Sequence, residues 1–175
     1  MPNPTVTITI TGFSANSANQ PGTPYCTIGS VALSNVQGDA DVDQIGFLPN
    51  STTNIWVKSP DLTGGPGSTP LPVPIDIVIV SSPPAAPATQ FNLTVDSTKK
   101  IRFSKTTNGG DSNGNANFPR ATVSGATVSI SDKCKDHGSH ANGTAPAWKY
   151  SIAVNDSVSG SAGWIDPTME NADDL

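Results

Sequence analysis

Glutamate occurs once, at Glu170, and leucine only six times in 175 residues, so two strong helix formers are nearly missing. That shortage excludes a helical bundle and an α/β fold with many crossover helices. Charged residues make up 13% of the chain, about half the usual share of roughly 25%. The net charge of −5 argues against nucleic acid as a partner, since binding phosphates requires clustered Lys and Arg. No window approaches the roughly 18 unbroken apolar residues of a membrane helix, so a membrane is not expected either. The first residues, MPNPTVTITIT, lack a basic leader, a continuous apolar stretch and a small-residue cleavage site; the expectation is a cytoplasmic protein, or one exported by a route that needs no N-terminal signal. With only Cys26 and Cys134 present there is no disulfide framework, and two separate thiols are expected rather than a pair.

What fills the chain instead is 20 Ser, 19 Thr, 14 Asn, 16 Gly and 16 Pro. This mixture favours short strands joined by turns. Alternation of period two marks the strands. In the first, Val6, Ile8 and Ile10 face one way and Thr5, Thr7, Thr9 and Thr11 the other, so a slip of one residue would exchange an apolar row for a threonine row. Further strands are expected over Tyr25 to Leu33, Thr53 to Lys58, Val73 to Val80, Gln90 to Val95, Lys99 to Ser104, Ala121 to Ile130 and Ala147 to Val154, about eight in all. Pro/Gly loops at 64–67 and 81–87, and the polar loop NGGDSNGNAN at 108–117, separate them. Four short strands on either side of residues 81–87 would bury little surface alone. The expected architecture is therefore one all-β domain over residues 1–175, an antiparallel β-sandwich of two packed sheets.

Chemistry-bearing residues are sparse. Cys134, Asp136, His137 and His140 fall within seven residues and could supply zinc ligands, with Asp132 or Asp136 completing the set, but Cys-x2-His-x2-His matches no compact four-ligand site. The same Cys and His residues could serve a hydrolase, yet no flanking motif supplies an oxyanion hole. Asp39-x-Asp41-x-Asp43 has the alternating carboxylates of a calcium loop, and Asp111-x-Asn113-x-Asn115 a weaker version. Neither has the Gly and Glu of an EF-hand at its sixth and twelfth positions. Trp56, Trp148 and Trp164 all read first as core anchors, with an exposed aromatic that stacks on a sugar as the alternative. Trp164, placed on a loop after the last strand, is the best candidate for stacking on a sugar ring. Four Asn-x-Ser/Thr sequons, at Asn50, Asn92, Asn142 and Asn155, are chance products of the composition. Nucleophile elbows, phosphate loops and His-Glu-x-x-His are missing.

Several short stretches carry a resemblance. Gln90-Phe-Asn-Leu-Thr-Val95, Ile101-Arg-Phe103, Thr127-Val-Ser-Ile-Ser-Asp132, Trp148-Lys-Tyr-Ser-Ile-Ala-Val154 and the closing Ile165-Asp-Pro-Thr-Met-Glu-Asn171 resemble a bacterial family of inclusion-body proteins of the PixA/AidA type. The resemblance runs from about residue 75 to the end. It implies a small all-β cytoplasmic protein that accumulates in dense deposits and has no catalytic residues to carry over. Two features depart from it: the loop from Cys134 to Pro146 is longer than the family's hairpin, and the N-terminal third matches poorly. In the closing motif, Pro167 forces Asp166 to be extended and the Asp side chain can bond nearby N–H groups, which would pin the chain end to the fold.

A non-enzymatic protein that works by self-assembly or binding is the leading expectation, with itself as partner and no required cofactor. Low charge weakens repulsion between copies, and strand edges template association. A lectin-like module that binds a glycan through Trp164, with Ca2+ at Asp39, Asp41 and Asp43, is the alternative. A zinc-dependent hydrolase using Cys134, His137 and His140 is the third reading.

Overall fold

A computed structural model describes residues 2–14, 24–36, 45–59, 72–82, 91–98, 101–105, 118 and 121–172. Twelve strands are formed: β1 (Thr5–Ser14), β2 (Tyr25–Ser34), β3 (Ile45–Phe47), β4 (Ile55–Val57), β5 (Val73–Ser81), β6 (Leu93–Val95), β7 (Ile101–Lys105), β8 (Thr122–Ser124), β9 (Thr127–Asp132), β10 (Ala147–Asp156), β11 (Ala162–Ile165) and β12 (Thr168–Asn171). The described residues include no helix, and none long and apolar enough to cross a membrane.

Each of the eight expected stretches contains strand, though only Ile55–Val57 and Leu93–Val95 of two of them, and Gln90, Lys99 and Lys100 lie outside the described residues. The stretch expected over Ala121 to Ile130 is a hairpin, because Gly125, at φ 58, turns the chain between β8 and β9. β3, β11 and β12 were not expected; each is three or four residues long, too short for alternation to stand out.

The expectation of two antiparallel sheets needs correction. Hydrogen-bonded neighbours form one mixed sheet in the order β3-β4-β12-β10-β11-β2-β1-β5-β9-β8, with β6 and β7 also paired to β10. β1 with β5, β2 with β11 and β4 with β12 are parallel. Each of these pairs joins strands far apart in sequence, where no tight turn imposes an antiparallel return.

The sheet also curls. β6 lies against β10, yet the Val95 N–H donates to the Gly125 carbonyl at 2.9 Å in the β8–β9 turn, near the far end of the strand order. One face thus turns inward. On it lie Val6, Ile8 and Ile10 of β1, Val73, Ile75, Ile77 and Ile79 of β5, Val128 and Ile130 of β9, and Tyr150, Ile152 and Val154 of β10, all buried. Phe118 stacks on Phe103, with ring centroids 4.0 Å apart, and meets Trp148 edge-on at 5.3 Å. Trp148 is therefore the core anchor the sequence suggests. Trp56 is half-buried on β4, its ring lying over Gly46 of the paired strand.

Two joints hold this arrangement. The first is the seam between β11 and β2, a single parallel pair, Trp164 with Tyr25, supported by a 3.1 Å bond from the Trp164 N–H to the Pro24 carbonyl. Gly163 makes that approach possible: a Cβ there would lie 2.8 Å from the Tyr25 carbonyl carbon and 2.9 Å from the Cys26 nitrogen. The second is the β10–β11 turn. There the Asp156 carboxylate accepts from the N–H groups of Asn92, Val158 and Ser159 and from the Ser159 hydroxyl. Burial pushes this carboxyl up, but the bonds to Ser159, Asn92 and Val158 outweigh it and leave its pKa below the usual value.

Candidate functional site

The loop between β9 and β10 carries three of the expected metal ligands, and it folds down on β12. Gly138 bridges to Ala172 in parallel, and its N–H donates to the Asn171 carbonyl at 3.1 Å. Asn171, fully buried, donates from its side-chain nitrogen to the Asp136 carbonyl at 3.1 Å and to Asp132 Oδ1 at 3.4 Å. Asp132 Oδ1 also accepts the Cys134 N–H at 2.8 Å. The closing motif is tied to the fold by bonds other than the expected ones to nearby N–H groups: Asn171 makes those just described, Asp166 accepts the Tyr25 hydroxyl bond, and the Tyr150 N–H donates to the Pro167 carbonyl at 3.1 Å.

Two acceptors in this cluster, Asp132 Oδ2 and Asn171 Oδ1, are buried with no hydrogen-bond partner. Burial pushes the Asp132 carboxyl up to about 7, against the lowering effect of the Cys134 N–H and the Asn171 amide. A proton on Oδ2 would supply the missing donor.

Cys134, His137 and His140 are not drawn together: among the described residues no three His, Cys, Asp or Glu side chains gather so that they could hold a metal ion. Cys134 is buried at φ 46, His137 is exposed, and His140 Nδ1 lies 2.6 Å from Glu170 Oε2 on β12. Cys26 and Cys134 are both buried and not joined by a disulfide. Burial pushes the Cys26 thiol up to about 12, which leaves it protonated and unreactive. Asp39, Asp41 and Asp43, and the weaker set at Asp111, Asn113 and Asn115, lie outside the described residues.

Trp164 is not on a loop, as the sequence had suggested. It sits within β11, half-buried, beside Tyr25 and under the Arg102 guanidinium, whose carbon is 4.8 Å from the ring centroid. The loop placement failed because β11 is only four residues long, too short for its alternation to stand out.

The feature that sequence reasoning missed is the open end of the sheet. Among the described residues, β3 pairs only with β4. Its Phe47 is 36% exposed, one of two large hydrophobic side chains on the surface among the described residues. The signal was there in Ile45-Gly46-Phe47, two apolar residues two apart before the turn at Pro49 and Asn50. It is only three residues long. No family model, curated protein or solved structure matches the chain.

Proposed function

We propose that this is a non-enzymatic β protein that acts in the cytoplasm by contact between its own copies, and that the curled sheet packs its two halves against each other as one sandwich-like domain. The observation that carries the reading is the sheet order, which among the described residues runs out at β3 and β8 instead of closing on itself. Unpaired strand backbone is a template for another strand. A chain with 13% charged residues opposes such contact only weakly. The resemblance to inclusion-body proteins points the same way.

Glycan binding through Trp164 is less well supported, because a sugar would have to share or displace the Arg102 guanidinium on that ring. Sedimentation velocity of the full chain over a concentration series tests the proposal. A sedimentation coefficient that rises with concentration is expected, and a strict monomer at the highest concentration would retire it.

A further inference from the structure

We propose that Asn142 is a site of spontaneous covalent modification, at which the backbone nitrogen of Gly143 attacks the Asn142 side-chain amide and residue 142 becomes aspartate or isoaspartate. The site is independent of the self-association proposed above.

Asparagine is a thermolabile side chain, and the residue after it sets how freely the next backbone nitrogen can reach it. A Cβ on that residue crowds the approach, and glycine has none. Asn142 is the one Asn among the described residues that precedes Gly. It sits at the tip of the β9–β10 loop, where Ala141, Asn142, Gly143 and Thr144 are all exposed. Gly143 stands at φ 66, and apart from its chain neighbours nothing lies within 4 Å of where its Cβ would be. Gly138 in the same loop is the contrast, its missing Cβ facing the Thr144 carbonyl oxygen at 2.6 Å. No third residue therefore stands over the reacting pair.

Local bonds decide what must move. The Gly143 N–H donates to the His140 carbonyl at 3.0 Å and closes a turn over residues 140–143. This bond has to open to free the nitrogen, and an exposed turn opens at little cost. The ends of the turn stay in place. The Thr144 and Ala145 N–H groups donate to the Ser139 carbonyl at 2.9 and 3.1 Å, and the Ser139 N–H donates to Thr144 Oγ1 at 3.0 Å. Asparagines elsewhere are held differently. The Asn92 amide donates to Ser157 Oγ at 2.8 Å ahead of buried Leu93, and Asn155 is paired with Ala162 within the β10 ladder ahead of buried Asp156.

The step balances with water as its one co-reactant. Solvent base takes the Gly143 N–H proton, the nitrogen bonds to Asn142 Cγ, and the Cγ–Nδ2 bond breaks. Nδ2 leaves as ammonia, carrying a proton returned by solvent, and a cyclic imide remains. Water then opens the imide at Cγ to give aspartate, or at the main-chain carbonyl carbon to give isoaspartate. Nothing is oxidised or reduced. Either product puts a new negative charge in the turn. Isoaspartate also moves a side-chain carbon into the main-chain path, so the Gly143 N–H no longer lines up with the His140 carbonyl.

The test is peptide mapping of the full chain, kept folded in warm, mildly alkaline buffer and digested with trypsin beside an unaged sample. Residues 136–149 form one tryptic peptide in which Asn142 is the only amide side chain. The Asn-Gly pairs at 108–109 and 113–114, which lie outside the described residues, fall in another peptide. The 136–149 peptide is expected to gain the mass of OH over NH2 and to split into aspartate and isoaspartate forms, while the peptides holding Asn92 and Asn155 stay unchanged. A 136–149 peptide that keeps its mass overturns the proposal, and so does conversion no faster than at Asn92 and Asn155. Aspartate without isoaspartate refutes attack by Gly143, since direct hydrolysis of the amide gives aspartate alone.

Discussion

Replacing Asp132 by Asn should abolish a pH dependence of stability that wild type carries between mildly acid and mildly alkaline solution. Asp132 is fully buried, and its carboxyl stands at about 7 when folded against 3.8 for the free group. The folded state therefore holds a proton that the unfolded chain releases. Its stabilising contribution is complete below the unfolded value and is lost as pH rises through the folded one. Integrated from about pH 5 to about pH 8, this linkage removes about 2.5 kcal/mol. An Asn side chain at 132 keeps an oxygen for the Cys134 N–H and the Asn171 amide, and its own NH2 can serve Asn171 Oδ1 without titrating. Urea unfolding of both proteins at the two pH values measures the effect. The variant should lose the Asp132 component of the slope and be the more stable protein at about pH 8. A variant that keeps the wild-type slope, or is less stable than wild type at the alkaline value, would refute the buried-proton argument.

Gly163→Ala should destabilise by about 1–3 kcal/mol, since its Cβ would press on backbone that cannot rotate away; an unfolding midpoint within error of wild type would mean that β11 and β2 are not held at this distance. By contrast, Glu170→Gln should cost no more than about 1 kcal/mol, because the His140 and Glu170 side chains are 34% and 17% exposed and water screens their pairing. A loss several times larger would make this ion pair, and not Asn171, the main tie between the loop and β12.

Much of the strand content was legible because the signal is local. Each β-branched row in β1 and β5 has an inside and an outside written in alternate residues, and the structure buries the expected side of both. The closing Asp-Pro-x-x-x-Asn segment was legible as a tie for the same reason: Pro167 constrains its neighbour whatever surrounds it. β3, β11 and β12 were not legible. Three or four residues carry at most two periods of alternation; β11 and β12 form on the ladder of the longer β10, while β3 pairs with β4, itself three residues long. The loop chemistry misled for a related reason. Cys134, His137 and His140 are neighbours in sequence, but the turn at Cys134 buries the thiol, leaves His137 exposed and draws His140 to Glu170, thirty residues away.

By itself the sequence determined that the chain makes strands, where most of them run and which face of each is apolar, because these follow from side-chain period and turn residues within a few positions of one another. Tertiary structure alone decided which strands are neighbours, that three of the pairs are parallel, and that Ile45 and Phe47 stand at an end of the sheet. A strand offers the same hydrogen-bonding groups along both edges, so the identity and direction of its partner are settled only when the whole curled sheet closes over its core.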